Sequence, residues 1–278
     1  QYERVTASYP GIGTRRLLHE VVRRMINRQV TDLVETSRRR IEEAGVAGFL
    51  DRLRAELEEG RWRPAPVRRV EIPKPDGTLR LLGIATVGDR VVQAALKIVL
   101  EPIFEADFQP CSFGFRPKLG QHDALQVVID EAWRGRRWVV ETDIANCFEA
   151  IPKDRLMQAV EERVADQPVL KLLRVILRAG VMETGVVRHP VTGTPQGGVI
   201  SPLMCNVYLH RLDRAWDSRA HGVLVRFADD VLVMCKSREQ AEAALARLRG
   251  LLAELGLEPK EAKTRIVHLA EDGPGFDF

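Results

Sequence analysis

Two adjacent carboxylates, Asp229 and Asp230, stand between two strongly apolar runs in VLVRFADDVLVMC, residues 223–235. Both flanks carry Val, Leu, Phe and Met and read as buried strands. One continuous strand would point the two Asp side chains to opposite faces. At least one would then be an unpaired buried charge, which is costly. A hairpin with Ala228, Asp229 and Asp230 at its tip removes that difficulty and leaves another, because neighbouring like charges repel and raise one pKa. A divalent cation relieves both; a solvated Asp-Asp turn is the alternative. Asp143 is the candidate third carboxylate, since it ends the apolar strand WVVETD just before a chain reversal. Taken alone, Asp143 reads first as a helix cap or a surface acid. Three carboxylates converging at strand ends would be unstable without cations. Mg²⁺ held by carboxylates and substrate phosphates suits an in-line phosphoryl displacement.

The elements that must position these residues are legible in outline. Residues 14–29, TRRLLHEVVRRMINRQ, have helical apolar spacing with a basic opposite face, and 46–59 read as a second amphipathic helix stopped by Gly60. The PDG at 75–77 marks a turn between two strand-like runs, with Lys74 and Arg80 on opposite arms of the hairpin. Helices are expected over 87–105 and about 120–134, and a strand ending near Asp143 follows. Pro152 sits near the start of the helix in IPKDRLMQAVEERV. VMETGVVR reads as a second hairpin, and TPQGGVISPL as a loop leading into a helix through about residue 217. After the Asp-Asp hairpin, Ser237 caps an alanine-leucine helix that Gly256 stops. The mixed order of strands and helices predicts an α+β fold, not a doubly wound one.

The chain has 278 residues, 45% hydrophobic and 29% charged, with a formal net charge of +3. This is a globular composition, and the mild positive charge permits a nucleic-acid partner without demanding one. Cys111, Cys147, Cys205 and Cys235 are far apart and form no CxxC pair. Most lie beside apolar or aromatic residues, so buried thiols in a reducing compartment are expected, not disulfides or zinc. No segment resembles a secretory leader and no run approaches a membrane span. A cytoplasmic protein with no membrane association is expected.

RRVEIPKPDGTLRLLGIATVGDRVVQAAL, LEPIFEADFQPCSFGFRP, VVETDIANCFEAI, GTPQGGVISPLMCNVYLHRLD, RFADDVLVM and LEPKEAKTRIVHL follow one another between Arg68 and Leu269, within a stretch of resemblance that covers about residues 46–278. In that order and spacing the chain resembles reverse transcriptases, most closely the group II intron-encoded class. The resemblance implies the fingers and palm of a right-hand polymerase, with an antiparallel palm sheet backed by helices, that copies RNA into DNA from a primer 3′-hydroxyl. It implies that Asp143, Asp229 and Asp230, helped by the Ile144 carbonyl, hold two Mg²⁺ ions, for which Mn²⁺ can substitute. Lys74 and Arg80 would reach the triphosphate, and cations on a hinged hairpin suit the phosphate charge left over by the metals. Phe148, five residues after Asp143, stands where the family gates against a ribose 2′-hydroxyl; a core phenylalanine is the alternative. Gln196 would lie beside the incoming dNTP and the template base, and Lys263 near the leaving pyrophosphate. Arg116 would brace the fingers or touch the template backbone. Phe227, in place of the family's usual tyrosine, keeps a ring near the primer terminus. Phe113 and Phe115 are expected in the core.

Apolar spacing and charge make residues 1–45 a basic helical extension that the resemblance does not map; by the resemblance, 46–135 form the fingers with palm-contacting helices, and 136–278 mainly palm with a fingers-side helical insertion. The thumb would be absent, the sequence stopping at GFDF. Leu81 and Ala85 replace two family prolines, which implies a looser fingers segment. Partners implied are an RNA template, a DNA or RNA primer, dNTPs and an intron RNA. An RNA-binding maturase module without synthesis, and the reverse transcriptase of a CRISPR adaptation or defence system, are the alternative settings.

Overall fold

The structure is a computed structural model that describes residues 38–73, 77, 79–183, 186–194 and 197–269. Helix α1 (Arg38–Glu58), strands β1 (Val67–Pro73) and β2 (Leu79–Ile84), and helices α2 (Val87–Glu105) and α3 (Gln121–Trp133) come first. Strand β3 (Trp138–Asp143) leads into α4 (Cys147–Ala150), α5 (Lys153–Glu161), α6 (Gln167–Leu177), β4 (Val181–Glu183) and β5 (Val186–Arg188). Then follow α7 (Ser201–Ala215), α8 (Ser218–His221), β6 (Val223–Phe227), β7 (Asp230–Cys235), α9 (Arg238–Glu254), a 3₁₀ turn (Glu261–Lys263) and β8 (Arg265–His268). The expected basic helix at 14–29 lies outside the described residues, as do Pro75 and Asp76 of the first turn.

The chain divides into two compact units, Gln1–Ala106 with Met157–Ser201, and Asp107–Leu156 with Pro202–Phe278. The first is built on a four-stranded sheet in the order β2-β1-β4-β5. Its hairpin is antiparallel, from Arg68 opposite Ile84 to Pro73 opposite Leu79, and β4 joins β1 in parallel at Val67 and Val181. Helix α2 begins where a hydroxyl can satisfy its free N–H groups: the Asp89 N–H donates to Thr86 Oγ1 at 3.2 Å. Asp166 caps α6 in the same way, accepting from the Val169 N–H at 3.0 Å. This helix escaped sequence patterning, although its cap and the proline that follows are start signals.

The second unit carries the antiparallel sheet β6-β7-β3-β8. Val139, Val225, Leu232 and Met234 point into one core with Phe113, Ala124 and Val128, and Leu119, Ala132, Phe227 and Leu269 pack at its margin. Strands buried this way read as continuous apolar runs, which is why both flanks of the Asp pair look alike in sequence. Helix α9 lies against β3 and β7, starting where Ser237 Oγ accepts from the Gln240 N–H. Gly256, with φ 71°, lets the chain leave it. The four cysteines are free thiols, three of them buried. Among the described residues no helix is long and apolar enough to cross a membrane.

Candidate active site

Strands β6 and β7 are joined by a two-residue turn. Phe227 and Asp230 face each other as the last pair of the ladder, leaving Ala228 and Asp229 at the tip. The turn is one residue tighter than the sequence predicts, which sets Asp230 at the tip as well. Asp230 instead begins β7 and stands directly opposite Asp143, the last residue of β3. Antiparallel partners put their side chains on one face of the sheet about 5 Å apart, so the ladder brings two of the three carboxylates together and holds the third beside them. The Ile144 N–H donates to the Asp229 carbonyl at 3.1 Å, tying the chain after β3 to the turn.

The electrostatics carry the mark of this crowding. Burial first, then the charges of Asp229 and Asp143, push the Asp230 carboxyl up to about 6. Part of the repulsion is relieved by this chain's own cations. Lys263 Nζ stands 2.8 Å from Asp143 Oδ2 and Lys260 Nζ at 3.9 Å. The hydrogen bond to Asp143 and its charge hold the Lys263 ammonium above its ordinary range. Both lysines are delivered by backbone: the Lys260 N–H donates to the Asp143 carbonyl at 2.7 Å, and the Ala145 N–H to the Glu258 carbonyl at 2.8 Å. The hydroxyls of Thr142 and Thr264, 2.7 Å apart, fasten the same two segments together. The result is a recess of about 190 Å³ lined by Asp143, Asp230, Glu141, Lys263 and Arg265. Lys263 was already a candidate from the resemblance; Lys260 carried no signal of its own.

The donor chemistry suits a hard divalent cation, three carboxylates at converging strand ends. Among the described residues no three carboxylate, imidazole or thiol side chains are gathered tightly enough to hold an ion, and Asp143 is engaged by Lys263. A cation entering the recess would compete with that ammonium for Asp143.

Phe148, on α4, is half-buried, and its ring meets that of Phe115 edge-to-face with centroids 6.3 Å apart. Phe113 is in the core as expected, but Phe115 is 48% exposed. Phe115 takes a left-handed φ of 58°, which turns its side chain away from the core that Phe113 enters. Arg116 Nη1 donates to the carbonyls of Gln109 at 2.9 Å and Ser112 at 2.6 Å, and its guanidinium lies over the Phe108 ring. Arg80 sits on β2 opposite Ile72. Lys74 and Gln196 lie outside the described residues.

Sequence reasoning passed over what lies beneath the Asp-Asp turn. Arg226 is fully buried in β6 and paired through two nitrogens with Asp213 of α7, at 2.8 and 2.6 Å. It also donates to Asn206 Oδ1, Ser112 Oγ and the Ala228 carbonyl. Burial opposes the charge on Arg226, and Asp213 outweighs it, so the guanidinium stays ionised. The only sequence signal was a charged residue inside an otherwise apolar strand.

Residues 72–275 match the family model described as reverse transcriptase (RNA-dependent DNA polymerase). The chain is 35% identical to Protein YkfC of Escherichia coli (strain K12), over 85% of this chain and 71% of that protein. It is 40% identical to the group II intron-encoded protein LtrA of Lactococcus lactis subsp. cremoris, over 57% of this chain but 26% of that protein. Among solved structures it is similar to telomerase from Candida albicans, with a TM-score of 0.59 at 14% identity, covering 80% of this chain and 44% of that one. It is also similar to a chain of a partial Cas6-RT-Cas1–Cas2 complex, with a TM-score of 0.51 at 23% identity over 86% of this chain and 41% of that one. The likeness to these solved structures is one of fold. The chain thus spans only about a quarter of the intron protein and two-fifths of the solved chains.

Proposed function

Because the chain belongs to the reverse transcriptase (RNA-dependent DNA polymerase) family, we propose that it carries the catalytic core of an RNA-directed DNA polymerase, with the unit built on β3, β6, β7 and β8 as its palm. The observation that carries this reading is the register that sets Asp143 opposite Asp230, with Asp229 in the adjoining turn and Lys263 on Asp143. Asp143, Asp229 and Asp230 would hold Mg²⁺, one ion or two, with the Ile144 carbonyl as a further oxygen. When bound, the metal lowers the pKa of the attacking hydroxyl and offsets phosphate charge. The primer 3′-hydroxyl would give its proton to solvent water, and its oxygen would bond to the α-phosphorus of the dNTP as the bond to pyrophosphate breaks and its electron pair leaves with pyrophosphate. Lys263, once released from Asp143, stands ready to offset or protonate the leaving pyrophosphate.

Phe148 is the proposed barrier to a ribose 2′-hydroxyl, with Phe115 supporting its ring. Phe227 lies next to the turn on the proposed primer side. Lys74, Arg80 and Gln196 are proposed as nucleotide contacts, and Arg116 as a residue that supports the template side, on the resemblance of their segments. The partners proposed are an RNA template, a primer and dNTPs. The test is primer extension on an RNA template by the full-length protein. Asp143→Asn and Asp229→Asn should each abolish extension while leaving the circular dichroism spectrum unchanged. Near-normal extension by either variant removes the metal-site assignment.

A further inference from the structure

Ala228 holds a left-handed φ of 57° at the tip of the Asp-Asp turn. For a residue with a Cβ such a conformation is strained, and it persists only where its surroundings impose it. The two-residue hairpin turn calls for it, and two elements hold it in place. From below, the buried Arg226 donates to the Ala228 carbonyl at 2.8 Å while Asp213, Asn206 and Ser112 fix the guanidinium. From the side, residues 111–116 run along β6 as a strap. The Arg226 N–H donates to the Cys111 carbonyl at 2.7 Å, and the Phe113 N–H to the Arg226 carbonyl at 2.8 Å. Gly114 then passes so close to the turn that a Cβ there would meet the Ala228 nitrogen at 2.3 Å and the Phe227 carbonyl carbon at 2.9 Å. Asn206 closes the loop by donating from Nδ2 to the Gly114 carbonyl at 2.8 Å.

The geometry points to Arg226, Asp213, Asn206, Ser112 and Gly114 as positioning residues that preset the Asp229–Asp230 turn for metal in the metal-free protein. None of them is among the proposed metal ligands; each acts through Ala228 and the backbone of the turn. A buried Arg–Asp pair contributes little net stability compared with an apolar pair of the same volume. A fold in need only of a core would do as well with Met and Leu. What the ions add is a fixed hydrogen-bond donor aimed at one carbonyl, and supporting partners of this kind tune ligand geometry and metal affinity. The inference rests on the metal site proposed above.

The test uses the full-length protein in two variants that reach the turn by different routes. Gly114→Ala pushes the strap against the turn without touching any charge. Arg226→Met with Asp213→Leu removes the donor and leaves no unpaired buried ion. Mn²⁺ is the probe, with free ion counted by electron paramagnetic resonance, and folding is followed by thermal melts monitored by circular dichroism. Both variants should remain folded and bind Mn²⁺ about 10-fold to 100-fold more weakly. Extension should be slow at ordinary Mg²⁺ and recover as Mg²⁺ is raised, because the defect is in metal affinity. Folded variants with wild-type Mn²⁺ affinity overturn the proposal. So does slow extension that added metal does not restore. A wild-type protein that binds Mn²⁺ but never extends a primer, with the variants still weakened, upholds the positioning role and overturns the polymerase reading instead.

Discussion

Changing Asp230 to asparagine should stabilise the metal-free protein, and the effect should depend on pH in a defined sense. The Asp230 carboxyl is pushed up to about 6 from an ordinary 3.8 by burial and by Asp229 and Asp143. A carboxyl raised on folding binds more protons in the native state than in the unfolded one. Stability therefore rises as pH falls from about 6 toward 4, and the penalty is fully present above 6. At about 1.36 kcal/mol per pH unit the raw penalty is near 3 kcal/mol; Asp230 is only half-buried, and solvent screening reduces this to about 1–2 kcal/mol. Asp230→Asn removes the ionisation and should raise the melting temperature by about 2–8 °C at pH 8 in a chelator. The gain should shrink to nothing near pH 4. Saturating Mg²⁺ should reverse the order, since only the wild type gains from binding. The assay is a set of thermal melts of both proteins at pH 8 and pH 4, with chelator or with Mg²⁺. A variant no more stable than wild type at pH 8 in chelator, or equally stabilised at pH 4, refutes the argument. Asp143→Asn should give no such gain, because it gives up the 2.8 Å pair with Lys263. Sequence alone suggests that relieving the charge at Asp143 or at Asp229 would stabilise the metal-free protein; the lysine on Asp143 makes the positions unequal.

Phe148→Ala should lower discrimination between dCTP and rCTP by about tenfold or more, measured as the ratio of kcat/KM; Phe115→Ala should move the ratio in the same direction by less, because Phe148 would then stand without its edge-to-face neighbour. Leu232→Ala, at a fully buried position in the central strand β7, should cost about 2–5 kcal/mol, seen as a lower urea midpoint at an unchanged slope. Arg68→Glu with Arg69→Glu, on β1, should weaken RNA binding and flatten its dependence on salt, by about one unit of slope for each phosphate no longer neutralised; an unchanged slope would make these arginines a solvated surface.

What the sequence determined by itself was the chemistry and much of the element map. Two carboxylates between apolar runs demand a turn, and a third at a strand end suggests a cation, because charge burial is costly whatever the fold. Caps and breakers are local, so Ser237, Gly60 and Gly256 mark helix ends that the structure reproduces within a residue or two. The six ordered segments are enough to name the family. Tertiary structure alone decided which residues meet. That Asp230 faces Asp143 is a matter of strand register, set by packing over the whole sheet and invisible in either strand alone. Lys263 reaches Asp143 across more than a hundred residues because Lys260, Ala145 and Thr142 fasten β3 to the chain before β8. Phe115 leaves the core through one left-handed φ that no periodicity announces. Arg226 reads in sequence as a lone charge in a strand. Only the convergence of α7, the strap and the turn on its guanidinium turns it into a support, because a buried ion has a role only through partners that are distant in sequence and near in space.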